Sequence, residues 1–190
     1  KLQWLRDEDA EAYDAARAVV MPKDYVNFRL TGEIAMDRTE AACSFLMDPA
    51  TGGWSPYMCD ILGLDIGKLV AIRQPTQILG SVGKAAAAET GLPIGVPVMV
   101  GGGDFPVALL GSGVSRAGLC SDVTGTSAII TVVADKPLLD PEISNIGTVE
   151  GGWGGFVLLE SGGDSMRWAR RAFHEKALSY EEIVTKAATV

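Results

Sequence analysis

Acidic residues crowd the start of residues 7–20, "DEDAEAYDAARAVV", and an Ala- and Val-rich run follows before Pro22, which predicts a helix ending there. "PKDYVNFRLTGEIAMD" predicts a short helix broken at Thr31-Gly32, and "DPATGGW" a turn. "GKAAAAETGLPIG" predicts an Ala-rich helix that stops at Gly91, with Pro93 just beyond. From Val96 the texture changes. "VPVMV" is a compact apolar run and predicts a buried strand. "DVTGTSAIITVVAD" and "GTVEGGWGGFVLLE" are β-branched runs punctuated by glycine and predict further strands. In "ESGGDSMRWARRAFHEKAL" a Gly-Gly turn leads to an N-cap at Asp164 or Ser165 and then a helix. Met166, Ala169 and Phe173 share its apolar face, with Arg167, Arg170 and Arg171 mostly off it. A domain boundary is expected near residues 113–118, "GVSRAG", dividing the chain into 1–115 and 116–190.

Composition narrows the classes of function. At 190 residues the chain holds one large domain or two small ones. The formal net charge of -8 argues against nucleic acid and against an anionic membrane surface, both of which reward basic patches. A phosphorylated small ligand stays open, because a few backbone amides can hold one locally. No stretch approaches the ~20 apolar residues that span a bilayer. The acidic, amphipathic start "KLQWLRDEDAEAYD" does not read as a signal peptide. Cys43, Cys59 and Cys120 are odd in number and scattered, which suits a reducing cytoplasm, each thiol packed as a small apolar group. They lack paired metal-ligand spacing, so no protein-held metal is expected. Of the 23 glycines, most fall after residue 90.

Three glycine-marked places can carry chemistry. In "VPVMVGGGDFP" the strand runs into three glycines and Asp104. Beyond the carboxyl end of a strand, glycines let backbone approach a ligand, and a carboxylate there can take a proton from a hydroxyl. The plainer reading is an Asp capping the helix that begins near Phe105-Pro106. In "TGTSAI", Gly125 can bring main-chain N–H groups near an anion, and Thr126 and Ser127 add hydroxyls; the plainer reading is a hairpin turn. In "ESGGDS", Gly162 and Gly163 precede a helix start that can receive a phosphate, or form an ordinary loop. The single histidine, His174, reads as a solvated helix position, and no G-x-S-x-G is present, so a serine hydrolase is unsupported. Nothing marks a second acid beside Asp104.

These pieces stand in the order of a known family. "KLQWLRDE", "PKDYVNFRLTGEIAMDRTEAACSFLMD", "GLPIGVPVMVGGGD", "DVTGTSAI" and "SGGDSMRW" together resemble the FGGY carbohydrate kinases, nearest the xylulose-kinase-like branch. The resemblance implies an α/β, actin-like (ribonuclease H-like) ATPase fold, here parts of two lobes with sugar and ATP meeting between them. Residues 1–115 would be the C-terminal part of the sugar-binding lobe, and 116–190 the N-terminal part of the nucleotide-binding lobe. It implies Asp104 as the general base, ATP and Mg2+ as cofactors, and a sugar such as a ketose or polyol as substrate. Gly125 and Thr126, with Ser127 adjacent, would form a phosphate loop, and Gly162 and Gly163 would lie near the nucleotide. A homodimer is compatible with it.

Two departures stand out. Where many relatives carry Asn or Gln after the base, this chain has Phe105 and then Pro106, so an apolar face replaces a polar sugar contact. The family's first phosphate loop, an Asp-x-Gly-Thr, is expected before Lys1, and the remainder of the adenine pocket after Val190. The isolated chain is therefore expected to show little or no kinase activity. The alternatives are a sugar- or nucleotide-binding module without catalysis, and a structural fragment that associates through an exposed sheet edge.

Overall fold

The computed structural model describes residues 1–174 and 177–189. Helices α1 (Leu2–Glu8) and α2 (Ala10–Ala15) replace the single helix expected over 7–20. They are separated by Asp9, whose carboxylate caps α2 by accepting the N–H of Ala12 at 3.1 Å. An Asp inside an acidic run competes for backbone N–H groups, and here it restarts the helix instead of continuing it. Pro22 opens α3 (Pro22–Thr31) at its first turn, and Gly32 closes it in the left-handed region at φ 80°.

Next come strand β1 (Met36–Asp37), helix α4 (Arg38–Cys43), helix α5 (Pro56–Leu62) and strands β2 (Ile72–Arg73) and β3 (Ile78–Ser81). Helix α6 (Lys84–Thr90) ends at Gly91, φ 77°, as its sequence requires. Strand β4 (Pro97–Met99) leads through Gly101–103 into helix α7 (Asp104–Gly111). The second half holds β5 (Cys120–Thr124), β6 (Ala128–Ala134), β7 (Ser144–Gly147), β8 (Trp153–Leu159), α8 (Gly163–His174) and α9 (Tyr180–Ala187).

Among the described residues the strands form three sheets. β1 and β2 pair in parallel, β3 and β4 antiparallel, and β5-β6-β8-β7 form an antiparallel four-stranded sheet. The strand expected to be buried at 96–100 is not. β4 pairs with β3 alone; Val96 and Met99 are exposed, and only Val100 is fully buried. A continuous apolar run is buried on both faces only when neighbours cover both, and here they cover one end. The cysteines also divide: Cys59 is buried, whereas Cys43 and Cys120 are exposed. The N-cap expected at Asp164 or Ser165 is displaced as well, because α8 already begins at Gly163. The expectation for His174 concerns a side chain outside the described residues.

The two halves share a core. Trp153 of β8 packs with Met36, Ala41, Ala42 and Met47. Arg38 lies 4.8 Å over the Trp153 ring and donates to the Gly152 carbonyl at 3.2 Å. The contact seats the four-stranded sheet against α4, directly beside the glycine turn that carries Asp104.

Candidate active site

Asp104 is the first residue of α7, and Gly103 is its N-cap. The Asp104 carboxylate is exposed and accepts one hydrogen bond, from the neighbouring Phe105 N–H at 2.7 Å. An N-cap would place that oxygen on an N–H two or three residues on. Asp104 does not, so its acceptor capacity is largely free. Position in the first helical turn adds a favourable dipole for the negative charge.

The three glycines before it are shaped by the protein's own side chains. Gly101 has φ 76° and lies against the Lys23 stem. A Cβ on Gly102 would meet Val107 at 3.2 Å and the Thr39 hydroxyl at 3.5 Å; one on Gly103 would sit 3.1 Å from the Glu40 carboxylate. The run of glycines therefore lets the turn close on α3 and α4.

A buried polar network anchors that turn. Asp37 and Asp24 are wholly buried, and Lys23 pairs with both, 3.1 Å from Asp37 Oδ2. Asp37 Oδ1 accepts from the N–H groups of Thr39 (2.8 Å) and Glu40 (3.2 Å) and from the Thr39 hydroxyl, so it caps α4. Thr39 Oγ1 in turn accepts the Gly103 N–H at 2.9 Å. Lys23 (3.0 Å) and Asn27 (2.8 Å) both donate to the Val100 carbonyl. Burial by itself would lower the Lys23 pKa; the hydrogen bond to Asp24 and the charges of Asp37 and Asp24 outweigh it and raise it.

Sequence reasoning missed Glu40. Its half-buried carboxylate lies against Gly103, and its pKa is raised, first by burial, then by the negative charge of Asp37 and, more weakly, of Asp24 and Asp104. Asp37-Arg38-Thr39-Glu40 has capping-box spacing, which was the available signal. What the spacing could not show is that Glu40 turns toward residue 103. The pH dependence follows. A carboxyl whose folded pKa exceeds its ordinary 4.5 binds more protons folded than unfolded, so its contribution falls as pH rises above that value. Glu40→Gln should raise the thermal midpoint at pH 7 relative to the parent, with the difference shrinking toward pH 4. An unchanged difference across that range would contradict the assignment.

Phe105 sits edge-on to Phe156 of β8, ring centroids 6.1 Å apart. From Phe156, β8 runs on to Leu159, paired with Ala128 directly after the Gly125–Ser127 turn. Three residues of strand put that turn about 10 Å farther along. Gly125, Thr126 and Ser127 form the hairpin turn between β5 and β6, and Gly162 and Gly163 close on them. Gly162 N–H donates to Thr126 O (2.9 Å), and Gly163 N–H to Gly125 O (2.8 Å). A Cβ on Gly163 would lie 2.5 Å from Gly125 O, so this approach demands glycine. The two glycine-marked places read separately from sequence are thus one site, whose cleft is lined by Gly125, Thr126, Gly163, Arg167 and Tyr180.

Residues 1–111 match the FGGY family of carbohydrate kinases, N-terminal domain. An autoinducer-2 kinase of Escherichia coli is 34% identical over 177 residues, 91% of this chain and 33% of that protein. The chain thus spans about a third of the length of such curated relatives. The xylulose kinase from Lactobacillus acidophilus superposes with TM-score 0.86 at 24% identity, over 100% of this chain and 39% of that one. A gluconate kinase from the same organism gives 0.87 at 24%, with the same coverage. These neighbours have the actin-like ATPase fold, of which this chain forms a part. The expected xylulose-kinase likeness appears among solved structures, whereas the curated relative at 34% identity is an autoinducer-2 kinase.

Proposed function

Because this chain belongs to the FGGY family of carbohydrate kinases, we propose that it carries the base and one phosphate loop of an ATP-dependent sugar kinase. Asp104 takes the proton of a ketose or polyol hydroxyl as that oxygen attacks the γ-phosphorus of ATP, and the bond from that phosphorus to the β,γ-bridging oxygen breaks to release ADP. The observation that carries this reading is the exposed Asp104 carboxylate. It makes one local hydrogen bond, at the head of a turn held by a buried network. A proton acceptor needs a free oxygen on a rigid support, and this one has both.

ATP supplies the phosphoryl group, with Mg2+ carried on its phosphates neutralising charge. The hydroxyls of Thr126 and Ser127 would face those phosphates, with Gly125, Gly162 and Gly163 keeping that surface flat enough for close approach. Phe105 would lie beside the sugar as an apolar wall, braced by Phe156. The lobe boundary falls at 115/116, just past the end of the family match. The reading places the protein in the cytoplasm, with sugar and ATP as its small-molecule partners.

A second reading is a sugar- or nucleotide-binding module without catalysis. It is favoured by Phe105, which leaves no polar side chain directly after Asp104. The 190-residue chain with Mg2+–ATP and a panel of ketoses should release little or no ADP in a coupled assay, since one candidate phosphate loop lies within it. It should still bind ADP by calorimetry. Normal turnover would overturn the view that this is a segment of the site, and failure to bind ADP would remove the nucleotide assignment.

A further inference from the structure

We infer that Glu40 orients the sugar, its carboxylate taking the hydroxyl next to the one whose proton Asp104 removes. The inference rests on the kinase reading above and adds to it a side chain from α4, outside the glycine motif. Asp104 is followed by Phe105 and Pro106, which offer no side-chain acceptor. A polyhydroxy substrate held beside that base needs an acceptor from another part of the chain.

Four carboxylates surround the glycine turn, and they are of two kinds. Asp24 and Asp37 are wholly buried and engaged. Asp24 accepts the Met21 N–H at 3.1 Å and pairs with Lys23. Asp37 pairs with Lys23 at 3.1 Å and receives the N–H donors that open α4. Glu40 and Asp104 stand open. Among the described residues Asp104 accepts only the Phe105 N–H, and the Glu40 side chain has neither a hydrogen bond nor an ion pair. Lys23, the cation whose charge reaches Glu40, is spent on Asp24, Asp37 and the Val100 carbonyl. Half-burial without a partner is costly for a carboxylate, and burial, then the Asp37 charge, hold its pKa above the ordinary value. An acid kept only for structure would be paired, as Asp24 and Asp37 are.

Gly103 is the second observation. Its φ of -59° and ψ of 153° are open to any residue, so the backbone does not require glycine there. Space does, because a Cβ would lie 3.1 Å from Glu40 Oε1. The absent side chain leaves Glu40 lying over residue 103, one position from the base, and consecutive Cα atoms are about 3.8 Å apart. Two open carboxylates at neighbouring positions fit two neighbouring hydroxyls. One gives its proton to Asp104; the other donates to Glu40 and fixes the sugar in place. The substrate class is thus a vicinal diol, and a compound without the second hydroxyl leaves Glu40 unpartnered.

The test is steady-state kinetics of the full-length gene product with Mg2+–ATP and two matched pairs of acceptors. These are D-xylulose with its 4-deoxy analogue, and glycerol with propane-1,3-diol. The parent should favour the diol it phosphorylates over the matched counterpart by about 10- to 100-fold in kcat/KM, as expected for one hydrogen bond to a charged group. Glu40→Met keeps the length and removes the acceptor. It should raise KM for the diol by about that factor, leaving kcat/KM for the counterpart and KM for ATP unchanged. Glu40→Gln retains a carbonyl acceptor and should recover part of the loss. Neither variant should melt below the parent, because Glu40 gives up no bond. Discrimination in Glu40→Met equal to the parent's, or an equal loss on both members of a pair, would overturn the role of Glu40 and leave the kinase reading standing. A parent that phosphorylates a diol and its counterpart alike would do the same. A parent that transfers phosphate to neither diol would overturn both.

Discussion

Asp104→Asn in the full-length gene product should lower phosphoryl transfer by about 100- to 10,000-fold while leaving ADP binding unchanged. The size follows from what is removed. The amide keeps the shape of the side chain and its bond to the Phe105 N–H, yet it cannot accept the hydroxyl proton as the new P–O bond forms. Because the Asp104 side chain is exposed and caps nothing, stability should change little. A thermal midpoint matching the parent would separate lost chemistry from lost structure. If the variant kept the parent's rate, the base would lie elsewhere. If the intact parent showed no transfer to any sugar, the binding-module reading would take its place.

The largest loss of stability should come from Asp37→Ala. Asp37 has no exposed surface, and its two oxygens serve an ion pair with Lys23, the cap of α4 and the Thr39 hydroxyl that receives Gly103 N–H. Removing one partner of a buried pair leaves a charge short of its compensation, which typically costs about 3–5 kcal/mol. Lys23 keeps Asp24 and the Val100 carbonyl, so the lower part of that range is expected. Denaturant unfolding measures it. Amide exchange at Gly103 should quicken at the same time, because its acceptor Thr39 loses the carboxylate that orients it. A loss below about 1 kcal/mol, with Gly103 exchange unchanged, would show that the network does not hold the turn.

Glu40 and Asp37 also explain why the site was only half legible. The glycine turn and Asp104 are contiguous in sequence, and the ordered motifs around them resemble those of a carbohydrate kinase. The network beneath joins residue 39 to residue 103, and no local pattern spans that distance. Likewise, "TGTSAI" and "SGGDS" each read as an amide-lined anion site. Placed together, Gly162 and Gly163 donate their amides to the carbonyls of Thr126 and Gly125, so the two stretches form one joined turn rather than two separate ones.

What the sequence determined by itself is whatever local backbone chemistry dictates. Gly32 and Gly91 stop their helices because those positions require left-handed backbone. The β-branched run at 128–134 forms a strand, and the order of the glycine motifs places the chain in its family. The tertiary structure decided the rest. It left "VPVMV" with one strand neighbour, made Asp104 a free carboxylate rather than a cap, and brought Glu40 to Gly103. Burial, hydrogen-bond satisfaction and charge pairing are properties of neighbours, and here hydrogen-bonded neighbours lie up to 114 residues apart along the chain.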